Sequence, residues 1–280
     1  MKKLNRSTGG NVVLFLVLLV GGAFMALPLV YAVVQSIKPM EELFIFPPRF
    51  TVRRPTLDNF RMLISVASNL WVPFERYLFN SVFVSLVGTV GHVLLASMAA
   101  YPLAKHKFPG SKILFNVIVL SLLFSNQVTY LPQYIVMARA GLIDSYWSII
   151  LPSFAMTLGL YLMKQFMEQI PDTVLEAARI DGASETRICF QIVMPQVRPA
   201  WLTLIIFAFQ SIWNQTGLSF IFSEEYKLLP TILRQISAGG IARAGVSSAA
   251  TMLLIIPPIL TFLITQSSVI ETMAHSGMKD

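Results

Sequence analysis

Long apolar stretches alternate with short polar ones along this chain. Six windows contain no Asp, Glu, Lys or Arg: Ser7–Ile37, Tyr77–Ala104, Ile113–Ala138, Ser145–Met163, Pro199–Ser223 and Ala244–Ile270. Each approaches or exceeds the roughly 20 apolar residues a helix needs to cross a hydrocarbon core about 30 Å thick. The pattern predicts an all-α polytopic membrane protein with six transmembrane helices. Prolines punctuate them: Pro28 as a kink in the first, Pro102 near the end of the second, Pro132 and Pro152 in the next two, and Pro257-Pro258 disturbing the ladder of the last. The segments that follow are 1–37 as N-terminus and first span, 38–76 as an external loop, 77–270 as a core of five spans, and 271–280 as a tail. Within 38–76 the Pro-rich, amphipathic sequence predicts an ordered loop, with Thr56-Leu57-Asp58-Asn59-Phe60 as an N-capped helical turn.

Composition agrees with the pattern. Of 280 residues, 55% are hydrophobic and only 12% charged, about half the charged share of a soluble domain. The net charge of +7 does not point to nucleic acid, because the basic residues sit in short loops and no Arg/aromatic interleaving offers a base-stacking surface. A single Cys189 excludes an internal disulfide, and no Cys/His spacing suggests a metal. The N-terminal Lys2, Lys3 and Arg6 precede an apolar run reaching Ile37, longer than the 7–15 residues of a signal h-region, so a retained first span is expected. With both termini in the cytoplasm, eleven of the 21 basic residues lie inside. Simple counting is therefore indecisive. The short cluster Lys105-His106-Lys107 with Lys112 favours the N-in arrangement.

No GxxxxGK[ST], HExxH or GxSxG motif is present, so no catalytic residue and no bound cofactor are expected. The spans also lack charged relays, which argues against an ion-coupled carrier. His92, the one titratable group of this kind in a span, reads as a packed, hydrogen-bonded residue. Uncharged polar positions remain: Asn80, Asn126, Gln127, Gln210 and Asn214, with the aromatic face of Trp213. They suit a path for a neutral polyhydroxylated solute, and equally suit hydrogen bonds between helices.

One polar segment differs from the rest. Residues 164–198 carry four basic and five acidic side chains, too polar to span. On a helix, Asp172, Thr173, Glu176 and Arg179 share one face, and Val174, Leu175 and Ala178 the opposite one. Gly182 fits a left-handed helix end and Ser184 the cap of a second turn. Such a helix can lie on a membrane or seat in a partner, with Ala177 and Ala178 permitting close approach.

Glu176-Ala177-Ala178-Arg179-Ile180-Asp181-Gly182, followed by Ile192-Val193-Met194-Pro195 and Pro199, resembles the EAA loop of binding-protein-dependent ABC importer permeases, with Met194 where the family carries Leu. Lys38-Pro-Met-Glu-Glu, Pro55–Phe60, Tyr101-Pro-Leu-Ala-Lys105, Gly141–Tyr146 and Trp213-Asn214 resemble the carbohydrate-uptake branch, specifically the smaller maltose-type subunit. The resemblance implies a type I importer permease fold with a MetI-like core, a cytoplasmic EAA loop and a bacterial cytoplasmic-membrane location. Glu176, Ala177, Ala178, Arg179, Asp181 and Gly182 would form a coupling helix docked on an ATPase. The partners implied are a second permease subunit, two ATP-binding subunits that bind the ATP, an extracytoplasmic solute-binding protein and the bilayer. The solute class implied is a sugar or oligosaccharide; an amino acid or polyamine is the alternative within the class, and an ion-coupled carrier the alternative outside it.

Overall fold

The apolar windows fold as helices. A computed structural model describes residues 8–240 and 243–276, and among them every regular element is helical. The order is α1 (Thr8–Ser36), α2 (Met40–Leu43), α3 (Asp58–Ser68), α4 (Phe74–Lys105), α5 (Ser111–Ser121), α6 (Asn126–Arg139), α7 (Trp147–Phe154), α8 (Thr157–Glu168), α9 (Asp172–Ile180), α10 (Glu185–Arg187), α11 (Met194–Gln196), α12 (Arg198–Trp213), α13 (Leu229–Ser237) and α14 (Ala244–Ser276). A π-helical turn, Ile188–Val193, joins α10 to α11. The expected cytoplasmic Lys2, Lys3 and Arg6, and tail residues 277–280, lie outside the described residues.

Three windows depart from simple spans. The third divides into α5 and α6 around residues 122–125, and the fourth into α7 and α8 around Ala155-Met156. The fifth ends at Trp213, ten residues early, with Asn214 at its C-cap; the chain then turns at Gly217, at a left-handed φ of 63°, into a loop closed by a 3-10 turn, Glu224–Tyr226. Four helical stretches are long and apolar enough to cross a membrane: Gly9–Ser36, Phe74–Lys105, Trp147–Glu168 and Ala244–Gln266. A fifth arises if Glu185–Gln196 and Arg198–Trp213, bent by 83°, act as one.

The chain divides into two units. The first comprises residues up to Asn69 together with Leu233–Leu253. Its helix α1 is apolar on all sides and none of its most apolar stretch is buried, as expected of a helix solvated by lipid. The loop after α1 is ordered by its polar groups. Lys38 is buried, donates to Arg49 O and lies 5.8 Å from the Tyr31 ring centre. Asn59 donates to Ser36 O (2.9 Å) and Lys38 O (2.7 Å), and Glu42 accepts from Arg53 N and Arg54 N at 3.0 Å each. The expected helical turn is α3, but it is not side-chain capped: Leu57 stands at its N-cap, and Thr56 Oγ1 only accepts from Asp58 N (3.1 Å) in the turn before it.

The second unit, Leu70–Ile232 with residues from Leu254 onward, is organised by α4, against which α7, α8 and α12 pack. Two apolar clusters form along it. One gathers Val84, Ile149, Ile150, Ile212, Phe220, Ile221 and Leu228; the other gathers Val93, Ala96, Ala100 and Tyr101 with Met163, Met167, Leu175, Ala178, Ile188 and Leu204. Glycine permits the close approach between them. A Cβ on Gly159 would sit 2.0 Å from His92 Nε2, so α8 can meet α4 there only without a side chain.

Candidate functional site

Helix α9 is short and strongly two-sided. Leu175 and Ala178 are 2% and 8% exposed and join the apolar cluster on α4. Thr173, Glu176, Ala177 and Ile180, at the i, i+3, i+4, i+7 spacing of one helical stripe, all face outward. Ile180 is 86% exposed, unusual for a large apolar side chain on a nine-residue helix. Two sequence expectations are corrected. Ala178 is turned into the chain's own core, so it packs the helix down rather than offering an outer contact. Val174 lies at the edge of the helix, 37% exposed, because its position on the helix falls between the two faces.

The helix end follows from glycine. Gly182 has φ 79°, Gly182 N donates to Arg179 O and Ala183 N to Ala178 O, both at 3.0 Å. This pair of bonds is the Schellman termination, and Ala183 packs against the apolar cluster that includes Ala178. Ser184 then caps α10 by accepting from Arg187 N (3.4 Å), as its sequence position predicts.

Charged groups fix both ends of α9 to the body of the unit. Lys105, in the last turn of α4, has a side chain only 4% exposed. Its ammonium donates to Ile170 O, to Glu168 O at 3.4 Å and to Asp172 Oδ1 at 2.8 Å, so it caps the carbonyl end of α8 and holds the first residue of α9. That contact keeps the Asp172 carboxyl below its usual range. At the other end, Glu185 accepts from Arg179 Nε (2.8 Å) and Tyr101 OH (2.6 Å), with His106 Nε2 at 3.4 Å. The Arg179 bond, then the Tyr101 bond, lower the Glu185 carboxyl; the same pairing raises Arg179. Sequence reasoning missed Lys105, Tyr101 and Glu185 as anchors. The signal available was the adjacency of Tyr101 and Lys105 at the polar end of an apolar window.

The expected path residues do not converge. Asn80 is fully buried and fully used: its amide donates to Glu225 O (2.8 Å) and Lys227 O (2.9 Å), and its oxygen accepts from Tyr146 OH at 2.5 Å. Trp213 is 1% exposed and donates its indole N–H to Leu254 O at 3.0 Å. Leu254 O is the carbonyl that the residue four positions on, Pro258, cannot reach for lack of an N–H. Helix α14 therefore runs unbroken through Pro257-Pro258, with Trp213 supplying the missing donor. Both residues act as brackets between elements. Gln127, Gln210 and Asn214 are exposed, and Asn214 donates to Gln210 O (2.8 Å). The Asn126 side chain lies outside the described residues. Trp213→Phe is expected to leave Leu254 O unpaired and cost about 1–3 kcal/mol, read as a lower melting temperature of the detergent-purified chain with uptake specificity unchanged.

A second polar clamp shapes the loop after α12. Asp144, at a positive φ of 60°, accepts from Phe222 N (2.9 Å), Ser223 N (2.8 Å) and Ser223 Oγ. The Ser223 hydroxyl is the main cause of its lowered carboxyl pKa.

Residues 92–269 match the family described as binding-protein-dependent transport system inner membrane component. Protein LplC of Bacillus subtilis is 32% identical over 223 residues, covering 77% of this chain and 72% of that protein. The polygalacturonan/rhamnogalacturonan transport system permease protein YtcP of the same organism is 30% identical over 226 residues, 78% and 75% of the two chains. Among solved structures, a chain of a bacterial ABC transporter involved in the import of the acidic polysaccharide alginate is similar, with a TM-score of 0.76 at 22% identity over 95% of this chain and 99% of that one.

Proposed function

This chain belongs to the binding-protein-dependent transport system inner membrane component family, and from that premise we propose that it carries a sugar or oligosaccharide. As a member it is a multi-pass permease subunit of an ABC importer in the bacterial cytoplasmic membrane. It works with another permease, ATPase and binding-protein components, and ATP hydrolysis belongs to the separate ATPase. The sugar assignment draws on the polygalacturonan/rhamnogalacturonan relative and on the uncharged spans.

The finer assembly is part of the same proposal: a heterodimer of permeases, two ATPase copies, an extracytoplasmic binding protein, and six crossings with both termini in the cytoplasm. The third crossing is then formed by α5 and α6 together, and residues 38–76 are external. Helix α9 is the coupling helix. The observation that carries this reading is its outward stripe of Thr173, Glu176, Ala177 and Ile180, apolar at Ile180 and rooted from behind by Leu175, Lys105 and Glu185. Glu176 is the charged contact, Ala177 the close one, and Arg179, Asp181 and Gly182 hold the helix end. When the ATPases close on ATP, a helix fixed this firmly moves as one body with α4 and α8, and the spans switch between two access states.

The test is capture of the tagged chain from its own membranes, joined to labelled-solute uptake in a strain lacking it. A second permease and an ATPase are expected to co-purify, and uptake of a saccharide is expected to vanish and return with the gene. Loss of amino-acid or polyamine uptake instead would overturn the sugar assignment.

A further inference from the structure

Both breaks in the apolar windows open on one cavity. It measures about 370 Å³ and lies where the α5–α6 and α7–α8 breaks meet α4 and α12, within the range of about 300–1,000 Å³ usual for small-molecule sites. Its polar lining comes from His92, Ser121, Thr157 and Ser211, and its aromatic lining from Phe124 and Phe207.

The hydrogen-bonding capacity of that lining is only partly used. His92 is 2% exposed; its Nδ1 lies 3.2 Å from Phe154 O and its Nε2 edge packs against Gly159, so its ring is a wall of the cavity. Ser121 Oγ lies 2.7 Å from Ile118 O and 3.0 Å from Thr157 Oγ1, two neighbours for one hydroxyl proton. Ser211 has no side-chain partner among the described residues. Helix α8 begins at Thr157 with no side-chain cap, and its first residues, Thr157, Leu158 and Gly159, line the same cavity. Lipid can satisfy none of these groups, and irregular backbone at membrane depth persists where it lines a polar cavity or is buried in protein.

We infer that this cavity is a solute subsite of the permease itself, taking the hydroxyl-bearing face of one sugar ring. The inference rests on the sugar reading above. No Asp, Glu, Lys or Arg lines the cavity, so it is matched to hydroxyls rather than to a carboxylate or an ammonium group. The Ser211 and Thr157 hydroxyls supply donors and acceptors for sugar hydroxyls, and the two phenylalanine rings supply flat apolar surface for the C–H face of the ring.

Thiol labelling in the complete importer, reconstituted in proteoliposomes, tests it. This chain's single native thiol, Cys189, is buried and is replaced by Ala, and the partner subunits are used in Cys-free form. Ser211→Cys and, across the cavity, Thr157→Cys are then treated with a membrane-impermeant methanethiosulfonate, with and without maltotriose, arabinotriose or trigalacturonate. Both positions are expected to label in at least one nucleotide state. A sugar that the parent takes up is expected to slow labelling about tenfold at ten times its Kd. No labelling at either position in any state would mean a dry or lipid-filled cavity and overturns the inference. Labelling that a transported sugar leaves unslowed also overturns it, leaving water as the occupant. A parent importer that takes up none of the three overturns the sugar reading and this subsite with it, whereas uptake without protection overturns the subsite alone.

Discussion

Gly182→Val is expected to reduce coupled uptake at least tenfold, whereas Gly182→Asn keeps most of it. The contrast follows from backbone geometry rather than from space. A Cβ at Gly182 meets nothing within 4 Å, so no clash penalises either variant. The φ of 79° does discriminate: a left-handed conformation costs an L-residue about 1–2 kcal/mol, most of all a β-branched one, while Asn tolerates it. That cost is comparable to the roughly 1–3 kcal/mol that two backbone hydrogen bonds contribute, so Val strains the Gly182–Ala183 turn and changes the angle at which α9 is presented. Glu176→Lys probes the other half of the same surface. It leaves the fold intact, because Glu176 points outward, and reverses the charge offered to the ATPase. Uptake and ATPase stimulation by the binding protein are measured together, with membrane abundance as control. Full uptake in both Gly182→Val and Glu176→Lys would remove α9 from the coupling role.

That turn was legible in the sequence because its determinants are local. Gly182 and Ser184 stand within a few residues of the carbonyls and amides they complete, and Leu175 and Ala178 lie three apart on a helical face. The helical character of the windows announced by absence of charge was legible for the same reason, since lipid solvation acts on each window by itself. What failed was non-local. An Asn or Trp in an apolar window reads equally as a path lining or as a bracket between helices, and the deciding groups are distant in sequence. For Asn80 they are Glu225 O and Lys227 O; for Trp213 the deciding group is a carbonyl orphaned by Pro258. The breaks at residues 122–125 and 155–156 were missed because neither carries Gly or Pro. Their cost is offset by packing and by the polar cavity they share, which no window of sequence reveals. Ser121, Thr157 and Ser211, the hydroxyls that do converge, were absent from the expected path.

Lys105→Met is expected to separate ATP hydrolysis from uptake. Methionine nearly conserves the apolar stem of lysine, so the packing around a side chain that is 4% exposed survives, and the loss is confined to the ammonium. Three acceptors then change state. Asp172 is 75% exposed and turns to water at little cost, as surface ion pairs generally do. Ile170 O is in a part-buried bond and cannot be fully rehydrated, which costs about 1–3 kcal/mol. The carbonyl end of α8 also loses the cation that its dipole favours. The consequence is mechanical: α4, α8 and α9 meet at this one ammonium, and without it α9 retains only the Leu175–Ala178 face and the Glu185 contacts. A helix held at one end tilts under load, so ATPase closure is absorbed locally and less of it reaches α4. Uptake per ATP hydrolysed is therefore expected to fall at least tenfold with the complex still assembled. Lys105→Arg, which keeps a donor and a charge, recovers part of it. Tyr101→Phe has a smaller effect, because Glu185 keeps Arg179 at 2.8 Å. An unchanged ratio of sugar moved to ATP hydrolysed in Lys105→Met would show that the force reaches α4 through the apolar face alone.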